Sequence, residues 1–239
     1  MIIQLIFLSI VIGTILQFIL SKNVFQLIPL EYHLPRRLQH AGSGVFIYLL
    51  SYTDLKKNML ANVLLLYFYA LLMFLTHRLR LSNDRVRNFL AKAFAPILRQ
   101  RELEGDIPGA FFFVLGLATS ALIVYRFSND NHGLTAWRLG LLYLSFGDPL
   151  AGIVGSYFSK KKSGKSFHGS LACFFTCAFL TGYENKFEFY TCFLGGIIGM
   201  LAEAMPSSWI DDNFLLPVFS TSVILFLHYL QLFELEASL

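Results

Sequence analysis

Long apolar runs alternate along this chain with short stretches that hold nearly all of its charge. Uncharged runs cover residues 1–21, 38–53, 58–77, 107–125, 166–183, 189–202 and 213–233. Several reach the roughly 20 residues an α-helix needs to cross the hydrocarbon core of a bilayer. With a further span beginning near Trp137, the pattern predicts an all-α, polytopic transmembrane helical bundle of about eight spans, with residues 1–239 as a single domain. The first run lacks the basic start and small-residue cleavage pattern of a secretory signal, so residues 3–20 are expected to be a retained span.

One polar stretch has a period of its own. Within residues 84–104, Val86, Phe89, Leu90, Phe94, Ile97 and Leu98 recur at helical spacing among arginines and a lysine. This is the pattern of a helix lying in the membrane surface, bent at Pro96. The composition agrees with a membrane chain: 56% of residues are hydrophobic and only 14% charged, far from soluble averages. The formal charge of +4 follows from topology. Residues 22–37, 78–101 and 160–165 hold 14 of the 19 basic residues, against five in the alternating connections. By the positive-inside rule the first set is cytoplasmic, which makes the amphipathic helix a cytoplasmic-side one and leaves both termini outside. Nucleic acid is excluded as a partner, because no soluble basic domain is present to hold it. Cys173, Cys177 and Cys192 all fall in apolar runs and read as small buried residues.

Candidate chemistry gathers where polar residues interrupt the apolar runs. In residues 145–170, Asp148 ends an apolar segment, and Gly147 and Pro149 on either side of it are expected to break the helix and free backbone groups. Ionisable groups at such places are functional candidates by default. The cluster Lys160, Lys161, Lys162 reads as a polybasic stop. Lys165 differs, because Gly164, Ser166, Gly169 and Ser170 leave amides and hydroxyls open around a point charge suited to phosphate. This is not a soluble phosphate loop: Ser159 stands where that loop needs glycine. A second island, AEAMPSSWIDDNFLLP, places Glu203, Asp211, Asp212 and Asn213 on the same side, with oxygen ligands of the type that hard cations prefer and no basic partner in their own loop. Near the start, PRRLQHAGSG puts Arg37 and His40 at the head of a helix, with small residues at Ala41, Gly42 and Gly44 permitting close packing. Glu102, Glu104 and Asp106 lie at the mouth of the fourth span, where acids at a helix start favour the dipole; of the three, Asp106 is carried as a weak candidate.

These motifs together, SFGDPLAGIVG, GKSFHGSLACFF and AEAMPSSWIDDNFLLP after PRRLQHAGSG, resemble those of the membrane lipid kinases that include dolichol kinase, phytol and farnesol kinases and the fungal CTP-dependent diacylglycerol kinase. The resemblance runs from about residue 31 onward. It implies transfer of the terminal phosphoryl group of CTP, or ATP, to the hydroxyl of a membrane lipid alcohol, with Mg²⁺. Matched to this sequence, it implies roles for Asp148, Lys165, Gly169 with Ser170, Glu203, Asp212 with Asn213, and Arg37 with His40. The YFSKKK run replaces the glycine-rich turn that often precedes the lysine.

On this reading Asp148, Glu203, Asp211 and Asp212 hold Mg²⁺. Arg37, Gly147, Gly164, Lys165, Ser166, Gly169, Ser170 and Asn213 surround the nucleotide. Asp148, Lys165, Asp212 and His40 carry catalysis, with Asp212 or His40 as base. The expected partners are the lipid alcohol, the nucleoside triphosphate and, as an open option, a second copy of the chain. A CDP-lipid-forming cytidylyltransferase is the nearest rival, but its closing lysine-aspartate, PGHGG-like run is missing. A transporter is the other, but no internal repeat is evident.

Overall fold

The structure, a computed structural model, describes residues 34–52, 58–94, 98–158, 165–205 and 210–235. The expected first span at 3–20, Pro96, the cluster Lys160, Lys161, Lys162, and Gly164 lie outside these residues. The regular elements described are α1 (Leu34–Leu50), α2 (Met59–Ser82), α3 (Asp84–Phe94), α4 (Gln100–Glu104), α5 (Gly109–Phe127) and α6 (Asn131–Leu142), then a π-helical turn (Tyr143–Gly147), α7 (Asp148–Phe158), α8 (Phe167–Glu184), α9 (Phe189–Ala204) and α10 (Asp212–Tyr229). Among the described residues no strand forms. Three helical stretches, Met59–Ser82, Gly109–Phe127 and Asn131–Phe158, are long and apolar enough to cross a membrane, and Phe189–Ala204 is a shorter apolar helix. The all-α membrane architecture expected from the sequence is therefore present, with three spans of full length among the described residues.

The run Asn131–Phe158 is the central post. Leu139, Leu141, Tyr143 and Leu144 are fully buried, and Trp137 Nε1 donates to the Leu117 carbonyl at 3.2 Å, tying the post to α5. α5 in turn lies between α2 and α10. By contrast α2 turns Leu64, Phe68, Leu71 and Leu75 outward, the arrangement of a helix whose outer face meets lipid. α8 and α9 form a hairpin whose turn places Lys186 and Phe187 at positive φ. Small residues let these two helices meet: a Cβ added at Gly196 would crowd Phe174, and one at Gly199 would overlap Cys177. Cys173 and Cys177 are buried with their Sγ atoms 3.8 Å apart, filling this contact as small apolar residues.

The interruption expected at Gly147 and Pro149 takes a different form from a break. The helix continues through it, widened by one π turn in which the Asp148 N–H bonds the Tyr143 carbonyl. Pro149 falls at the second position of α7, within a first helical turn that tolerates a missing N–H. Such π turns inside helices occur frequently at functional sites. The surface segment at 84–104 divides into α3 and α4, and α3 exposes Phe89.

Candidate active site

The first turns of α1, α5, α7, α8 and α10 and the last turn of α9 meet at one end of the bundle. Each contact follows from local sequence. The π turn and Pro149 bring Asp148 to the head of α7. Ser166 caps α8, its Oγ accepting from the Gly169 N–H at 3.1 Å. Asp211 caps α10 in the same way, accepting from the Asn213 N–H at 3.0 Å. Helix N-termini carry partial positive charge, so four cationic side chains here add to a field that favours anions.

Lys165 is the hub. Its Nζ donates to the Glu203 carbonyl, to the Met205 carbonyl at 2.6 Å and to Asp212 Oδ1 at 3.2 Å. It thereby ties the end of α9 to the start of α10 across the chain segment that precedes α8. Ser170 Oγ donates to Glu203 Oε2 at 2.8 Å. From α1, Arg37 Nη1 donates to the Pro149 carbonyl at 3.1 Å. Its guanidinium occupies the space that any side chain at Gly152 would need. Gly155 makes room for Ser166 Oγ, and Gly169 approaches the Ala151 carbonyl. Gly152 and Gly155 thus leave room for one arginine and one helix cap. Asp148 forms no side-chain hydrogen bond among the described residues, while the charges of Arg37, Arg36, Arg99 and Lys165 all act on it.

The acidic island meets cations from elsewhere in the chain. Asp211 Oδ2 lies 3.3 Å from Arg99 Nη1 and 3.8 Å from Arg101 Nη2, so besides capping α10 it anchors α4. Asn213 is buried, and its Nδ2 donates to the Gly109 carbonyl at 3.1 Å. Asp212, one residue ahead of the uncharged run of α10, has its carboxyl pushed up by burial and by the charges of Asp148 and Asp211, against the pull of Lys165. His40 packs edge-on against Phe113 at 4.8 Å, and its Nε2 is enclosed with no hydrogen-bond partner among the described residues. Gly147 lies against the sulfurs of Cys173 and Cys177, where a Cβ would come within 3.0 and 3.2 Å, which is a packing position between the π turn and α8. Asp106 is exposed, 3.9 Å from Arg101.

Arg36 and Arg99 are not among the site residues expected from the sequence, and Glu102, expected only as an acid at the mouth of the fourth span, is built into this end. Glu102 is buried, and its two oxygens accept from the Arg99 N–H at 2.9 Å and the Gly109 N–H at 3.0 Å. A glutamate three positions after a cap is the local signal for such a box, and it could have been read. Nothing local marks Arg99, whose partner Asp211 lies 112 positions away.

Among the described residues no group of three or more histidine, cysteine, aspartate or glutamate side chains converges as a metal cage. Glu203 and Asp212 nevertheless both feel the charge of Asp148, and Glu203 that of Asp212. Mg²⁺ at phosphoryl-transfer sites is usually held by one or two carboxylates, with phosphates and water completing the shell. The donor set here fits that arrangement.

An end of a membrane helix bundle that gathers lysine, arginines and carboxylates around helix N-termini defines a class of membrane protein suited to handling phosphate. The chain is similar to CTP-dependent diacylglycerol kinase 1 of Schizosaccharomyces pombe, with 25% identity over 213 residues, covering 81% of this chain and 93% of that protein. It is similar to CTP-dependent diacylglycerol kinase 1 of Saccharomyces cerevisiae, also at 25% identity, over 220 residues, 80% of this chain and 72% of that protein. Both relatives are lipid kinases by name. No family model matches the chain, and no solved structure matches it.

Proposed function

We propose that this protein is a CTP-dependent lipid kinase that transfers the terminal phosphoryl group of CTP to the hydroxyl of diacylglycerol in the membrane. The observation that carries this reading is the position of Lys165, held by two carbonyls and Asp212 beside Ser170, Glu203 and Asp148. Similarity to two CTP-dependent diacylglycerol kinases supports CTP over ATP and diacylglycerol over a polyprenol or phytol. The charge asymmetry of the connections supports eight spans in all, with this end at the cytoplasmic face where CTP is available.

In the reaction a bond forms between the lipid oxygen and the terminal phosphorus, the bridging P–O bond breaks, and CDP leaves. Such transfer depends on positioning and charge stabilisation more than on covalent chemistry. Lys165 sits fixed at the site, so it stabilises negative charge on the transferred group without reorganising. Arg37, seated against Gly152, contributes a second cation. Asp212 accepts the hydroxyl proton, while the enclosed His40 contributes through the shape and polarity of the wall behind α1. Mg²⁺ would be held by Asp148 with Glu203 or Asp212 and would neutralise phosphate charge. Ser166, Gly169 and Ser170 order the start of α8, and Asp211, Asn213 and Gly147 hold the surrounding helices in register.

The test is to incubate purified protein with γ-labelled CTP, Mg²⁺ and diacylglycerol, beside Asp148→Asn and Lys165→Ala. Label is expected in the lipid with wild type and at least about 100-fold less with either variant, the scale of a lost charge-stabilising group. Transfer of label from base-labelled CTP would instead establish CDP-lipid synthesis. No transfer to any lipid alcohol would overturn the kinase reading.

A further inference from the structure

Two arginines, Arg36 and Arg99, flank the start of α5 at this end of the bundle, joined through Glu102 and Gly109. Arg36, at the head of α1, lies over Gly109: a Cβ there would come within 2.8 Å of Arg36 Nη2, 2.8 Å of Asn213 Nδ2 and 3.4 Å of Glu102 Oε1. No hydrogen bond from the Arg36 side chain forms among the described residues. The charge of Arg99 opposes that of Arg36, while the carboxylates of Glu102, Asp148 and Asp211 favour it. Among the described residues Arg99 spends only Nη1, on Asp211 at 3.3 Å, and the rest of its planar fork bonds none of them.

Like charges are brought together here at a cost, and the chain spends two carboxylates to keep them so. Glu102 clamps the Arg99 backbone to the first N–H of α5. Asp211 holds the Arg99 guanidinium while its other oxygen caps α10. A pair of arginines with open donors beside helix N-termini, one of them anchored by Asp211, matches the bidentate geometry of phosphate oxygens. An ordinary interfacial arginine would need no such double anchoring and would point to water or to headgroups.

We propose that Arg99, paired with Arg36 across the start of α5, binds a phosphate oxyanion of the nucleoside triphosphate, and that Asp211 and Glu102 position Arg99 for this. The inference rests on the kinase reading for the identity of the nucleotide, but the oxyanion site itself does not depend on it. It makes α4 part of the nucleotide site and gives Asp211 a positioning role in place of metal ligation.

The test uses the full chain in detergent or nanodiscs. Arg99→Ala is expected to raise the KM for CTP by about 10- to 100-fold, the value of a lost charge-assisted hydrogen bond. The KM for diacylglycerol should stay within about twofold of wild type. Arg99→Lys should recover only part of the loss, because the fork is gone, and it decides the matter if Arg99→Ala does not fold. Inorganic tripolyphosphate should raise the melting temperature of wild type, by linkage, and much less that of either variant. Tripolyphosphate stabilisation lost in the variants would uphold the oxyanion site even if no lipid were ever phosphorylated. A CTP KM within twofold of wild type in both variants would overturn it. So would a raised diacylglycerol KM with the CTP KM unaffected, which assigns the pair to the lipid-acceptor side of the site.

Discussion

At Gly152 the place where a side chain would begin is filled by the Arg37 guanidinium, whereas at Gly42 a Cβ would meet nothing within 4 Å. The two glycines should therefore respond in opposite ways to the same methyl group. Gly42→Ala relieves only the backbone entropy of glycine in a helix, and it should stabilise the protein by roughly 0.5–1 kcal/mol with unchanged turnover. Gly152→Ala must displace Arg37 from the Pro149 carbonyl, so kcat/KM should fall at least about tenfold, measured against a fold checked by thermal melting. Asp212 supplies a pH prediction at the same scale. Burial raises its carboxyl, so it takes up a proton at higher pH than an ordinary aspartate. If its ionised form accepts the lipid proton, activity falls as pH falls, with the acid limb lying above the ordinary value of about 3.9. A pH profile of kcat/KM checks this, and a limb at or below that value would remove Asp212 as the base.

Among the α-helices described, α4 is the shortest and the most dependent on its anchors. Five residues make too little helix to persist alone. Its order comes from Glu102 binding two N–H groups and from the Asp211 contacts to Arg99 and Arg101. Glu102→Ala leaves those two donors without their acceptor and should cost on the order of 2 kcal/mol or more. Faster proteolytic cleavage between α4 and α5 than in wild type would register the loss; an unchanged rate would show α4 to be held by something else. The π turn acts at this scale too. Its extra residue re-aims Asp148 at the site without ending the helix that carries it, a result that glycine and proline in sequence did not distinguish from a break.

For the whole molecule, the two ends of the bundle have separate tasks. Opposite the candidate site, Arg138 is buried, donating to Ser51 Oγ at 2.7 Å and Ser51 O at 2.8 Å, with its guanidinium 3.8 Å from the Tyr52 ring centre. Tyr48 and Tyr52 both bond Glu184, so α1, α6 and α8 are braced together there. Arg138→Ala removes the buried charge and leaves its acceptors unpaired, and it should lower the melting temperature markedly. The KM values for CTP and lipid, measured on the folded fraction, should not move, because the site lies at the other end of these helices. The sequence by itself determined the helical class and the membrane setting, and pointed to Asp148, Lys165 and the acidic island sharing one end of the bundle. Those properties depend on local hydrophobicity, period and charge, which each segment carries on its own. Tertiary structure alone decided that Lys165 joins Glu203 to Asp212, that Gly152 is a seat for Arg37, and that Arg99 belongs beside Asp211. Side chains tens to more than a hundred positions apart meet only through the packing of several helices, and no local pattern encodes that geometry.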